Sequence, residues 1–539
     1  MTEEPLPYFH SAEVSNFLVT LQEATRARPD GRGVYIPPVN ADKATAEYHH
    51  LIFGQRGSGK STLLRKLQNE RAERGQLAVW IDQEVFASLS FPDALVSSVE
   101  AVVSGVHDAV ELRLAANRRQ LHWWRRVFVR SPHNNRELLA GLVAVRSNLQ
   151  TLKFAPLHSS IEWTRAHSAT SSAGLVGTVS VRQTGVSGAA GEAEEHSVQS
   201  RETVVSSKGE FLERALPDFK ALLTRAAGVI NGGAIFVDDV YHLDRADQPR
   251  VLGYMHRLIK DTGFWLKIGS IRYLTQTYTA GRQPTGMQAG HDAHLIALDD
   301  GMQRLQVSST WLHDILGQLA PMAGVSIDKL FTPSSLDRLA LASGCIARDY
   351  LTIAGAAIEE ARNRPQTTKS GMHRVTVEDV NRAAAVLAPP KLDDMQQDAP
   401  EEAAHSRVLI NQLTDFCRRT HRAYFLVDAS DRELIGRMES LQHLRFVHLL
   451  ERSETVKSIT TQRYDIWLLD VSQLAAQRAT QQMDFSGWQD REKRRSRTLI
   501  FERPNSVGSS AGDAEHSDAD PSECRSAPRD EGTTSDKLF

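Results

Sequence analysis

The chain has 539 residues, with 63 Lys and Arg against 66 Asp and Glu, for a formal charge of −3. Hydrophobic residues make up 41% and charged residues 24%. Those values exclude a wholly disordered, collagen-like or coiled-coil chain and leave room for roughly three or four domains. Cys345, Cys417 and Cys524 are too few and too far apart for a disulfide scaffold or a Cys-ligated metal centre. No apolar run approaches the roughly 20 residues of a membrane span. The N-terminal MTEEPLPYFHSAEV lacks the basic and apolar regions of a signal peptide. A soluble, cytoplasmic protein with no membrane partner is expected.

Residues 1–44 are polar, with turn signals at Pro29-Asp30-Gly31 and Pro37-Pro38, and read as a leader packed on the first domain. The apolar run from Tyr48 to Phe53 is strand-like, a helical pattern follows at STLLRKLQNERAERG, and Leu77 to Asp82 is a second strand. Strand, helix and strand in this order make a βαβ unit and a parallel sheet. Residues 95–150 read as helical, and 159–208 as a Ser/Gly/Ala-rich loop or exposed hairpin. A helix at 209–227 precedes strands at Ala234–Val237 and Phe264–Ile268. Residues 309–390 read as all-helical, 391–404 as a linker after Pro389-Pro390, and 405–500 as helices followed by two strands. Residues 505–539 are nearly free of large apolar side chains and are expected to be disordered.

The strongest signal is Gly54-Gln55-Arg56-Gly57-Ser58-Gly59-Lys60-Ser61, followed by Thr62. It matches G-x-x-x-x-G-K-[ST] between a strand and a helix. Glycines let the backbone wrap around phosphate oxygens, and the helix N-terminus adds positive potential. Lys60 is predicted to reach the β/γ-phosphates and Ser61 to hold Mg²⁺. Ala234-Ile235-Phe236-Val237-Asp238-Asp239 is a buried strand ending in two acids. Asp238 is the expected metal-side acid. Asp239 is where an ATPase orients or deprotonates the attacking water, and being one methylene shorter than Glu it is suited to slow hydrolysis. ATP and Mg²⁺ are the expected ligands.

On GQRGSGKST (54–62), AIFVDDVYHL (234–243), LKIGSIR (266–272) and ASGCIARDYL (342–351), the chain resembles the AAA+/STAND branch of P-loop ATPases, in particular the origin-recognition-like group. The resemblance covers about residues 45–390. It implies an α/β fold, a P-loop NTPase parallel sheet with helices on both faces over 45–308, followed by a helical lid over 309–390. It also implies a winged-helix-like C-terminal domain over 405–500. By the same resemblance, Ser270 (or Arg272) is the polar sensor after the acid-bearing strand, and Arg348 is the lid arginine that reports the γ-phosphate. Arg282 and Arg304 are candidates for a trans-acting arginine finger, and neither is singled out. The 177 positions from Ser61 to Asp238 exceed a compact core of this type, so an insertion lies within about 110–208.

Arg113, Arg118, Arg119, Arg125, Arg126, Arg130 and Arg136, with Trp123 and Trp124 among them, form a pattern that binds nucleic acid or simply coats a helix. Arg418, Arg419, Arg422 and Arg445 in the C-terminal domain, and REKRRSR at 491–497, are further candidate DNA contacts. His49-His50 reads as a strand-edge feature, with no zinc expected. Two functions follow from the resemblance: an ATPase acting as a nucleotide-dependent switch on or near DNA, or a STAND-type signalling and assembly ATPase of the kind used in anti-phage defence, as a homo-oligomer or with a partner protein. A metabolic kinase is disfavoured by the helical region after the core. Residues 507–539 hold eight acids and three bases, so the rest of the chain carries +2 and its net charge does not oppose DNA binding.

Overall fold

The computed structural model describes residues 8–26, 36–38, 40–120, 133–156, 160–166, 178–182, 201–298, 301–364, 374–398, 400, 402–456, 459–476 and 483–502. The expected disordered tail and Trp123, Trp124, Arg125, Arg126 and Arg130 lie outside them. The strands, in chain order, are β1 (His50–Phe53), β2 (Leu77–Asp82), β3 (Ser160–Ala166), β4 (Thr178–Arg182), β5 (Arg201–Ser206), β6 (Gly233–Asp238), β7 (Phe264–Ser270), β8 (Tyr278–Thr279), β9 (Thr285–Gly286), β10 (His294–Ala297), β11 (Tyr424–Asp428), β12 (Val447–Val456) and β13 (Ile459–Leu469).

The central sheet has the order β10-β1-β7-β6-β2, and all its pairings are parallel. Successive side chains point to opposite faces, and because both faces are buried β1, β6 and β7 are buried almost throughout. Ile52, Ala234 and Phe236 meet Leu63, Leu64 and Leu67 of the helix Lys60–Glu73 on one face. Leu51, Phe53, Ile235 and Val237 pack on the other face among apolar residues of helices Asp93–Gln120, Lys208–Ile230 and Gln248–Ile259. The polar residues at 41–45 also cover the first face, through Ala41 and Ala44.

The insertion is a helix pair, Asp93–Gln120 against His133–Phe154, plus the antiparallel sheet β4-β3-β5. The expected hairpin is therefore one strand richer. The chain returns to the core through Ser207, whose hydroxyl caps the helix Lys208–Ile230 in a reciprocal box with Glu210.

Two boundary expectations are corrected. The leader does not pack only on the first domain: its helix Ala12–Ala24 buries Val14, Phe17 and Leu21 against the lid helices Leu305–Met322 and Ala347–Asn363. The Arg362 guanidinium fastens it by donating to the Phe9 carbonyl at 2.9 Å. Of the stretch 391–404, expected as a linker, residues 391–398 are helical. Pro389 and Pro390 open the first turn of a helix, Ala388–Asp398, where a missing N–H costs nothing, and the next helix begins at Ala403. One apolar core runs from Phe9 through the lid to Phe501, so lid and C-terminal region form one packed body. That region is helix Ala403–Thr420, β11, helix Arg432–His443, then the β12–β13 hairpin, in a sheet of order β11-β13-β12. Among the described residues, no helix is long and apolar enough to cross a membrane.

Candidate nucleotide-binding site

Beyond β1 the backbone turns through Gly54–Gly59 into the helix that begins at Lys60. Gly57 and Gly59 take φ of +85° and +92°, where a side chain would be strained. Lys60 is buried, and its ammonium donates to the Gly54 carbonyl at 2.8 Å and the Gln55 carbonyl at 3.1 Å. The Ser58 hydroxyl is buried and has no hydrogen-bond partner among the described residues. A buried polar atom in that state costs free energy until a ligand satisfies it, so it fits a phosphate-binding loop.

The parallel order puts β7 between β1 and β6, so the acids at the end of β6 face the loop across one intervening strand. Asp238 is 3% exposed, and its carboxyl is pushed up to about 6 by burial and then by Asp239, against the opposing hydrogen bond from Ser61 and the charge of Lys60. Asp239 takes left-handed backbone angles, and burial raises its carboxyl too, with Lys60 and His242 opposing. Gly269 of β7 makes room for this pair: a Cβ there would stand 2.7 Å from Asp238 Oδ1 and 2.6 Å from Leu64 Cδ1. A buried carboxylate hydrogen-bonded to Ser61 suits a hydrated Mg²⁺, whose double charge would offset the burial that raises it. The chain has a P-loop α/β nucleotide-binding fold.

A cavity of about 460 Å³ opens over the loop. Its polar lining includes Arg56–Thr62, Glu84, Asp239, Tyr241 and His242. Its apolar lining includes Ile36, Pro38, Trp311, Ile315, Leu319 and Leu351, contributed by the leader and the lid. A lining of both kinds suits a ligand that joins a charged phosphate chain to a flat base. The lid seats directly on the loop, where the Arg348 amide donates to the Gly57 carbonyl at 3.2 Å. Arg348 lines the cavity, and its guanidinium donates to the Thr25 carbonyl of the leader at 3.3 Å.

The sensor expectation at Ser270 is corrected. Ser270 ends β7 beside the loop, its carbonyl accepting from Gly54 N, but it is fully buried and does not line the cavity. Its hydroxyl is held by Thr275 Oγ1 at 2.6 Å, which points it into the next turn. Arg272 is exposed, as are Arg282 and Arg304, and none of the three lines the cavity.

Several arginines read as DNA contacts are engaged internally. Arg445 is 6% exposed and binds Asp349 at 2.9 Å and Asp394. Asp394 also takes Arg56 of the loop at 2.8 Å, and Gln55 donates to the Gln442 carbonyl at 2.8 Å. Lys391 bridges Asp470 at 2.8 Å and Asp349 at 3.9 Å, while His448 holds the other Asp470 oxygen at 2.8 Å. In the 491–497 run, Arg494 pairs with Glu451 and Glu454, and Arg495 reaches the Thr455 carbonyl. Arg422 bonds the Tyr424 hydroxyl and the Lys493 carbonyl. Arg113, Arg136, Arg418 and Arg419 remain exposed. At the far end of the sheet His49 accepts from Leu266 N and His50 faces the Lys267 ammonium, and burial lowers these imidazoles to about 4 and about 3.

Reading the sequence missed Glu84, Tyr241, His242, Trp311 and the leader's share of the cavity. Glu84 stands just past the end of β2, where ligands of an open parallel sheet bind, and that position was a usable signal. No family model matches the chain, and no curated protein matches it. Among solved structures it is similar to a Walker-type ATPase of Pyrococcus abyssi, with 11% identity over 84% of this chain and 99% of that one and a TM-score of 0.40. The nucleotide-site assignment rests on the loop, the acids and the sheet order rather than on that likeness.

Proposed function

We propose that this chain is a Mg-ATP-binding, slowly hydrolysing ATPase of the AAA+/STAND type, in which nucleotide occupancy switches the seating of the lid and the C-terminal region. The observation that supports it is the seating of the lid on the loop, where the Arg348 amide donates to the Gly57 carbonyl and Arg348 lines the cavity. A fixed positive charge there is stabilised by a γ-phosphate and loses that partner on hydrolysis. Ser61 and Asp238 would hold Mg²⁺, which when bound polarises the phosphate oxygens. Lys60 binds the phosphates, and the apolar lining residues from the leader and the lid take the base.

On the output side, the ion pairs from Arg56 through Asp394 to Arg445 link the loop to the C-terminal region. They favour an assembly switch, because they spend on internal contacts the arginines that a DNA reader would present. DNA action stays as the other reading, through exposed Arg113, Arg136, Arg418 and Arg419.

The test is ATP turnover by wild type, Lys60→Ala and Asp239→Ala with and without DNA, alongside light scattering with and without ATP. Turnover lost in Lys60→Ala and lowered in Asp239→Ala, with an ATP-dependent change of mass, is the expected result. Lys60→Ala binding Mg-ATP as well as wild type would sink the site. A constant mass combined with ATP-dependent gel shifts at low salt would replace the assembly reading with the DNA reading.

A further inference from the structure

The second acid of β6 is the obvious base for the attacking water, yet its setting is poor for that work. Asp239 is drawn inward, has Lys60 as its main favourable charge, and is a methylene short of Glu. Across from it stands an acid that the strand motif does not contain. β2 and β6 pair in register from Leu77↔Gly233 to Asp82↔Asp238, so the residues just past the two strand ends face each other. Past β2 the chain enters the short turn Gln83–Phe86, which the Asp82 carboxylate caps by accepting from the Glu84 amide at 3.0 Å. That cap fixes the backbone at Glu84, which lines the cavity with Asp239 and His242. A carboxylate oxygen from each acid and a ring nitrogen of His242 lie within 4.8 Å of one another. Three such atoms enclose about the space of one water molecule, which needs two to four polar partners.

We propose that Glu84, and not Asp239, is the general base of ATP hydrolysis, with Asp239 and His242 positioning the attacking water. The assignment rests on the ATPase reading above. In the step, the water oxygen forms a bond to the γ-phosphorus while one of its protons passes to the Glu84 carboxylate. The bond from the γ-phosphorus to the β,γ-bridging oxygen breaks, and its electron pair leaves with ADP. Glu84 is exposed at the cavity mouth, so it can return the proton to solvent or to the departing phosphate and be ready for the next turnover. Its extra methylene gives the reach that Asp239 lacks, and its negative charge is one of the influences that raise the Asp239 carboxyl, which marks how near the two groups are.

The experiment uses the full chain with Mg-ATP and compares wild type, Glu84→Gln, Glu84→Asp and Asp239→Asn. Three quantities are read: single-turnover rate against pH, affinity for a fluorescent ATP analogue, and melting temperature. A positioned base is worth about 10²–10⁴-fold in rate. Glu84→Gln should therefore lose at least about 100-fold in turnover with affinity unchanged within about 3-fold, and should lose the acid limb of the pH–rate profile. Glu84→Asp should fall between Gln and wild type, and Asp239→Asn should slow turnover while keeping the acid limb. Glu84→Gln turning over within about 3-fold of wild type, or losing affinity in step with rate, overturns the assignment. So does a second Mn²⁺ bound per chain beside Mn-ATP that Glu84→Gln removes, since the three groups would then be metal ligands. A wild-type chain that binds Mg-ATP but never hydrolyses it overturns the ATPase reading as well, whereas hydrolysis retained by Glu84→Gln overturns this inference alone.

Discussion

Arg445→Ala removes the central cation of the network that ties the P-loop and lid to the C-terminal region. Arg445 is 6% exposed, and its partner Asp349 is 2% exposed. Breaking one partner out of a buried pair costs about 3–5 kcal/mol, because the remaining charge is left without compensation. Among the described residues, Asp394 keeps Arg56 at 2.8 Å and Asp349 keeps Lys391 at 3.9 Å. The lower end, about 3 kcal/mol, is therefore expected, which is about a hundredfold in the unfolding equilibrium. The assay is urea unfolding of the full chain followed by tryptophan fluorescence, since Trp467 is fully buried in the shared core. Because lid and C-terminal sheet share that core, both should lose stability in one transition. Arg445→Ala/Asp349→Ala removes both charges, and it should be less destabilised than the sum of the two single variants by about 1–3 kcal/mol. A loss below about 1 kcal/mol for Arg445→Ala, or strict additivity in the cycle, would refute the reasoning.

Lys60→Ala should fold normally and weaken Mg-ATP binding by about 10- to 100-fold, the worth of charge-assisted hydrogen bonds of about 1.5–3 kcal/mol, as read by titration calorimetry. Gly269→Ala should cost about 1–3 kcal/mol by overpacking against Leu64 and Asp238, and should weaken Mg-ATP more than Mg-free ATP; equal weakening would separate Gly269 from the metal side. The Asp238 carboxyl lies at about 6 against an ordinary 3.8, so the folded chain holds that proton more tightly than the unfolded chain. This contribution to stability is full below the ordinary value and is lost as pH rises through about 6. In EDTA, Asp238→Asn should therefore gain in melting temperature relative to wild type as pH goes from 4 to 8, while failing to bind Mg-ATP tightly; a difference flat in pH would contradict the buried, ionising carboxylate. Cys345 and Cys417 are buried, and burial raises both thiols, the first to about 12, so neither should react with a thiol reagent until the chain unfolds.

The local pattern of the chain was enough for the P-loop, the acid-bearing strand and the βαβ order, because each is written in consecutive residues. GQRGSGKS needs only its own glycines and the helix that follows, and AIFVDD needs only a strand apolar on both faces. The helical character of 309–390 and the β12–β13 hairpin were legible for the same reason, as periodicity within a segment. What the sequence could not decide depends on residues far apart in the chain. Ser270 sits where a sensor belongs, but Thr275 takes its hydroxyl. Arg445 reads as a phosphate-facing charge until Asp349 and Asp394 are folded around it, after which its charge is spent inside the protein. The polar stretch after Pro389-Pro390 looks like a linker because Lys391 and Asp394 are charged; their partners Arg56, Asp349, Arg445 and Asp470, in four other segments, hold it as a packed helix. Glu84 carries no motif, and only the registered pairing of β2 with β6 brings it to Asp239 and His242. Local hydrogen bonding and side-chain period set the elements and the phosphate loop. Long-range packing and charge pairing, which no short stretch of sequence encodes, chose the partners of each ionised group and so decided which acids and arginines are left to act on a nucleotide.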